Sequence, residues 1–308
     1  MAEHRLDPSP ETVVDVLSRD ARPVLTVDPG DRLVVRSLDA SGYRSPQRSP
    51  GDRPARLLPD ARGHCLTGPV QVRGARPGDL LAVHLEQLRP DPWGWTVAGF
   101  KQDALARRLG VADGPRAELL WAVDEQAGTA TSDRGLRVPL APFLGVVGMP
   151  PDEPGEHSTV PPRARGGGNV DCRELVAGST LYLPVTVPGA LLCLGDGHAA
   201  QGDGEVGGTA VECAMTTTLV LDLLPPAPVP GVHAVTPGGR VTFGFDADLE
   251  AATGEALAAM LTWLEHLLDV DRTTALAHAS AAVDLRVTQV ANATWGVHAV
   301  LPHGVLTR

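Results

Sequence analysis

Between Gly195 and Glu205 the chain gathers five side chains able to do chemistry: Asp196, His198, Gln201, Asp203 and Glu205, interleaved with four glycines. Carboxylates and an imidazole crowded into so short a span can hold a metal ion, move protons, or both. Asp196 and His198 are two positions apart, so an extended backbone would point both toward one face. Glycine lets the backbone turn through positive φ and lets a ligand come close. An ordinary turn also uses Gly and Asp, often in an Asx-turn, but it needs one or two such residues and not five.

The flanking elements favour a sheltered location. Ala190-Leu191-Leu192-Cys193-Leu194 reads as a buried strand that delivers the loop, and Ala210-Val211-Glu212-Cys213-Ala214-Met215 begins another apolar stretch. Upstream, the glycine triplet 166–168 leads directly into Asn169-Val170-Asp171, which allows the backbone an unusual path beside those two side chains.

Read in order, Gly168-Asn169-Val170-Asp171, Leu181-Tyr182-Leu183-Pro184-Val185, the run from Gly195 to Glu205, and Gly208-Thr209-Ala210-Val211-Glu212 resemble the motif series of the acetamidase/formamidase family. Further likenesses lie at Gly63 to Pro69, Asp284 to Gln289 and Gly296 to Pro302, so the resemblance extends from about Val24 to Pro302. One departure is visible: many relatives carry a cysteine where this chain has Gly207. The resemblance implies a mainly β enzyme of barrel- and sandwich-like β subdomains, with a smaller α/β portion and two helices near the C-terminus. It also implies cleavage of a small aliphatic amide to carboxylate and ammonia.

Composition agrees with a folded, soluble class. Hydrophobic residues make up 43% and charged residues 20% of the 308 positions, and the net charge is −11. That sign argues against a nucleic-acid partner, which would call for a basic stripe. No apolar run approaches a membrane span, and the first residues lack the apolar region of a signal peptide, so a cytoplasmic address is expected. Cys65, Cys172, Cys193 and Cys213 show no zinc-knuckle or disulfide spacing. Homo-oligomerisation is expected of a chain with this much β edge.

Residues 22–38 read as strand, turn and strand around Pro29-Gly30-Asp31, and the plan recurs around Pro77-Gly78-Asp79. Two copies hint at related β-units without making a solenoid. Residues 41–63, rich in Arg, Pro, Ser and Gly, read either as a mobile loop bordering the entrance of a site or as simple disorder. A connector at 150–168 divides a β-rich stretch, 1–150, from a stretch 151–308 that carries the motifs, the two forming one enzymatic unit. Asp103 to Leu109 fits a short helix. Leu249 to Leu268, with apolar residues at helical spacing, and Asp271 to Val283 fit longer ones.

An amide is a poor electrophile with a poor leaving group, so an enzyme must polarise its carbonyl, supply a strong nucleophile and protonate the departing nitrogen. A cysteine route is disfavoured because Cys193 and Cys213 sit in apolar runs. A serine–lysine route meets a chain whose sole lysine is Lys101. Metal-assisted attack by water remains. Asp171, Asp196 and His198 are the expected ligands of a divalent metal, zinc by its mixed nitrogen and oxygen donors, with calcium an alternative around Asp203 and Glu205. Glu205 is the expected general base, with Asp203 as the alternative, and Asn169 and Gln201 are expected to contact the substrate. Glu212 reads as a buried structural carboxylate or as an orienting group for a ligand. Two competing readings stand: a β-rich calcium- or ligand-binding protein without activity, and a hydrolase of a larger amide.

Overall fold

The computed structural model describes residues 1–307, so Arg308, the last residue of the expected second stretch, lies outside the described residues. Among the described residues, strands gather into one sheet of nine, one of twelve and a two-stranded pair. Leu33, Leu81, Leu183 and Leu219 of the first large sheet share one hydrophobic core with Val70, Val147, Leu192 and Leu194 of the second. Burying each such side chain contributes roughly 1.5–3 kcal/mol relative to leaving it exposed. The molecule is mainly β, and neither large sheet closes into a barrel.

The two Pro-Gly-Asp turns do not close hairpins. Leu25–Val27 and Leu66–Val72 pair with each other, parallel, in the second sheet. Arg32–Ser37 and Leu80–Pro90 instead lie in the first, on either side of Met215–Leu224. Each turn thus carries the chain from one sheet to the other, with Gly30 at φ 85° and Gly78 at φ 100°, where a side chain would be strained. Pro188-Gly189 makes the return crossing, from Thr180–Pro184 in the first sheet to Leu192–His198 in the second.

Strands from before and after residue 150 are interleaved in both sheets. Phe143–Gly148 lies between Leu192–His198 and Gly167–Asn169. Leu80–Pro90 lies between Met215–Leu224 and Thr180–Pro184.

The helix Leu249–Leu268 starts at Asp248, whose carboxylate accepts from the backbone N–H groups of Glu250 and Ala251. It buries Ala252, Ala256, Met260 and Leu264 in a smaller core shared with the strand Trp295–Pro302. A second helix, Arg272–Ala282, is capped by Asp271, and the short helix Ala104–Arg108 by Asp103. Arg286 pairs with Glu174 at 2.5 Å. No helix among the described residues is long and apolar enough to cross a membrane.

Candidate active site

The strand Leu192–His198 builds the site through its neighbours. Its antiparallel register sets His198 opposite Phe143 on one side and opposite Glu212 on the other. One step along, Val146 faces both Gly195 and Asn169, which brings the Asn169–Asp171 segment alongside. Asp171, Asp196 and Glu205 adopt φ of 50°, 57° and 42°, a left-handed conformation uncommon for residues with a side chain. Such strain persists only where surrounding structure enforces it, and it clusters at functional sites.

The result is a buried acidic cluster around one imidazole. Ligand atoms of Asp171, Asp196 and His198 lie within 4.8 Å of one another, as do those of His198, Glu205 and Glu212. His198 Nε2 is 3.4 Å from Asp196 Oδ1 and 3.3 Å from Glu212 Oε2, with a hydrogen bond to neither. Its Nδ1 is 2.9 Å from Gln201 Oε1, and Gln201 Nε2 donates to the Asp171 carbonyl at 2.8 Å. Phe143 meets the imidazole edge-on, with ring centroids 5.0 Å apart. Gly145 leaves the cluster its room: a Cβ there would lie 2.4 Å from Asp196 Oδ2 and 2.7 Å from Asp171 Oδ1. Asn169, Asp196, Glu205 and Glu212 line an adjoining cavity of about 380 Å³, which His64 and Trp95 border.

Burial and mutual repulsion set the charges. Burial pushes the Asp171 carboxyl well up, and the charges of Glu205 and Asp196 push it further. Burial likewise raises Glu205 to about 8, against an opposing pull from His198. Burial alone would raise Asp196 too, but His64 and His198 hold it below the usual carboxylate range. For His198 burial favours the neutral ring, and the charges of Glu212 and Asp196 override it and drive the pKa up. Four carboxylates around one imidazole make a dry site that calls for a cation.

The thiols offer no competing nucleophile. Burial pushes Cys65 up to about 11 and Cys193 to about 12, and raises Cys172 and Cys213 as well.

Of the residues singled out from sequence, the fold brings together Asp171, Asp196, His198 and Glu205, with Asn169 on the cavity wall. Asp203 is exposed and lines a separate cavity with Arg173, and it belongs to neither group of metal-holding side chains among the described residues. Gln201 borders that second cavity, its amide spanning His198 and the Asp171 backbone. Two further residues gain a place in the site. Glu212 enters the cluster, although its only local signal was an acid inside an apolar run. His64 faces the cavity with its buried Nδ1 lacking a hydrogen-bond partner.

The donor set fits a divalent ion. Both carboxylate oxygens of Asp171, Glu212 Oε2 and His198 Nε2 are buried with no hydrogen-bond partner, which is costly unless something cationic meets them.

Comparison with known proteins follows the same lines. The model of the acetamidase/formamidase family matches residues 6–155 and 154–227. A crystal structure of acetamidase from Bacillus halodurans superimposes with a TM-score of 0.85 at 28% identity, covering 97% of each chain. That of acetamidase from Yersinia enterocolitica gives 0.85 at 27% identity, over 99% of this chain and 93% of its own. An acetamidase of Mycolicibacterium smegmatis is 30% identical over 199 residues, 46% of this chain, and the match spans only 49% of that relative's length. With more than half its length matched by the family model and nearly all of it superimposing on acetamidase structures, the chain belongs to the acetamidase/formamidase family.

Proposed function

We infer that this protein hydrolyses the carbon–nitrogen bond of small aliphatic amides, of the formamide or acetamide type, to carboxylate and ammonia. Family membership and the names of its relatives support the reaction class. One observation carries the chemistry: buried, unpartnered atoms of Asp171, Glu212 and His198 converge beside a cavity lined by Asp196, Glu205 and Asn169.

In this reading Asp171, Asp196 and His198 hold a divalent ion, with Glu212 beside them. Mixed nitrogen and oxygen donors suit zinc. When bound, such an ion polarises a carbonyl and makes water acidic near neutrality. The rest falls to the chain itself. Glu205, with its affinity for a proton raised by burial, accepts one from the attacking water and returns it to the departing nitrogen. Asn169 Oδ1, buried and unpartnered on the cavity wall, accepts from the substrate NH2 and so orients the amide. The apolar edge of Phe143 behind His198 keeps that side dry, which strengthens each of these interactions.

The reading takes residues 1–150 and 151–308 as one enzymatic unit, in a cytoplasmic homo-oligomer. Four free, buried cysteines support a reducing compartment. The test is ammonia release from formamide and acetamide. Exhaustive chelation is expected to abolish it, zinc to restore it, and His198→Ala to eliminate it while the far-UV circular dichroism stays unchanged. Full turnover by His198→Ala would remove the cluster from the chemistry.

A further inference from the structure

Resting on the amide-hydrolase reading, we propose that Arg56 makes this enzyme selective for amides whose acyl chain ends in a carboxylate, such as the monoamide of a short dicarboxylic acid. The cavity, at about 380 Å³, lies in the range of pockets that enclose molecules much larger than formamide or acetamide. Its lining is sorted by charge. Asp196, Glu205 and Glu212 belong to the buried cluster, whereas Arg56 and Arg62 come from the loop bordering the entrance.

The two arginines differ in what already occupies them. Arg62 is spoken for: its guanidinium lies 2.7 Å from Glu156 and 3.4 Å from Asp15. Arg56 pairs with no carboxylate among the described residues, in a chain with 37 acidic and 26 basic side chains. Arg56 is exposed at the rim, and two contacts orient it. Its backbone bridges Tyr43, and its guanidinium lies over the Tyr43 ring, 5.5 Å from the centroid. Tyr43 is itself buried, and it packs edge-on against Trp95 on the cavity wall at 6.3 Å.

A guanidinium oriented by an aromatic stack, with its donors unspent, suits a carboxylate through paired, charge-assisted hydrogen bonds. In one orientation both ends of such a substrate are used: the amide inward at the buried cluster and the acid at the rim beside Arg56. A neutral short amide makes no use of Arg56.

The experiment compares kcat/KM for succinamate with that for 4-methylpentanamide, its uncharged counterpart of similar shape, with acetamide as reference. The wild-type enzyme is expected to favour succinamate by about fivefold, the scale of one solvent-exposed charge pair. Arg56→Ala is expected to bring the ratio to near one, mainly through KM, and Arg56→Glu to invert it. Arg56→Lys is expected to keep part of the preference, because it retains charge without the paired geometry. Arg56→Gln replaces Arg56→Ala should the latter lose its circular dichroism signature. Raised salt is expected to narrow the wild-type ratio. A wild-type ratio near one, or a ratio that survives Arg56→Ala, overturns the proposal while acetamide turnover leaves the amidase reading standing. Hydrolysis of no amide at all removes both.

Discussion

Gln201 Oε1 accepts a hydrogen bond from His198 Nδ1 at 2.9 Å, and this contact decides which ring nitrogen faces the acidic cluster. The other end of the same amide donates to the Asp171 carbonyl at 2.8 Å, a group that can only accept. The glutamine oxygen is therefore the end turned to the imidazole, and Nδ1 carries the proton. A neutral ring then presents its lone pair at Nε2, between Asp196 and Glu212, where a metal ion would need it.

Gln201→Ala releases both ties at once. On the proposed metal-assisted reading it is expected to weaken zinc binding by about 10–100-fold, the usual effect of losing a group that orients a ligand. Competition with a calibrated chelator measures the affinity, and kcat at saturating zinc measures what the loosened ring costs beyond it. Unchanged zinc affinity would mean that the contact with Gln201 does not orient His198.

Gly145→Ala tests the space in the cluster. The added methyl would meet Asp196 Oδ2 at 2.4 Å, Asp171 Oδ1 at 2.7 Å and His198 Cε1 at 2.9 Å. Contacts that short force the three side chains apart. On the proposed reading the variant is expected to lose zinc binding and amide hydrolysis together while remaining folded, read by metal content per chain and by circular dichroism. Stoichiometric zinc in the purified variant would contradict this.

Asp39 is expected to make stability depend on pH. It is fully buried, one oxygen accepts from the Tyr43 backbone N–H at 3.3 Å, and the other has no partner. Burial, reinforced by the charge of Glu212, pushes its carboxyl up from 3.8 to about 7. Between those values the folded chain holds a proton that the unfolded chain releases, so this group's contribution to stability falls as pH rises from about 4 to 7. Asp39→Asn keeps the shape without the charge and is expected to flatten that decline. Urea midpoints across this range provide the measurement, and an identical slope in both proteins would exclude Asp39 as the cause.

Local chemistry was legible along the chain. The helix at Leu249–Leu268 followed from the helical spacing of its apolar residues, because helical hydrogen bonds are made within a few residues. Asp196 and His198 stood out for a similar reason, being two positions apart beside a buried strand. Glu212 did not, because its place depends on the antiparallel register that sets it opposite His198, a long-range pairing. Likewise the Pro-Gly-Asp turns were visible as turns, but their crossing between sheets was not, since a turn's local geometry does not say which strands its arms will pair with.

Asp203 and Glu205 mark the limit most clearly. They are alike in type and two residues apart, yet Glu205 is buried in the cluster and Asp203 is exposed. Between them Gly204 sits at φ 96°, its N–H bonded to the Thr288 carbonyl and its own carbonyl accepting from Val290. By itself the sequence determined most of the turns and helices, many of the strands and the reactive residue types, all properties of neighbours along the chain, whereas Trp93–Ala98, which reads as a loop, is a strand. Only the tertiary structure decided which acid is dry, which ring nitrogen is free and which arginine is unpaired, because burial and pairing are properties of neighbours in space.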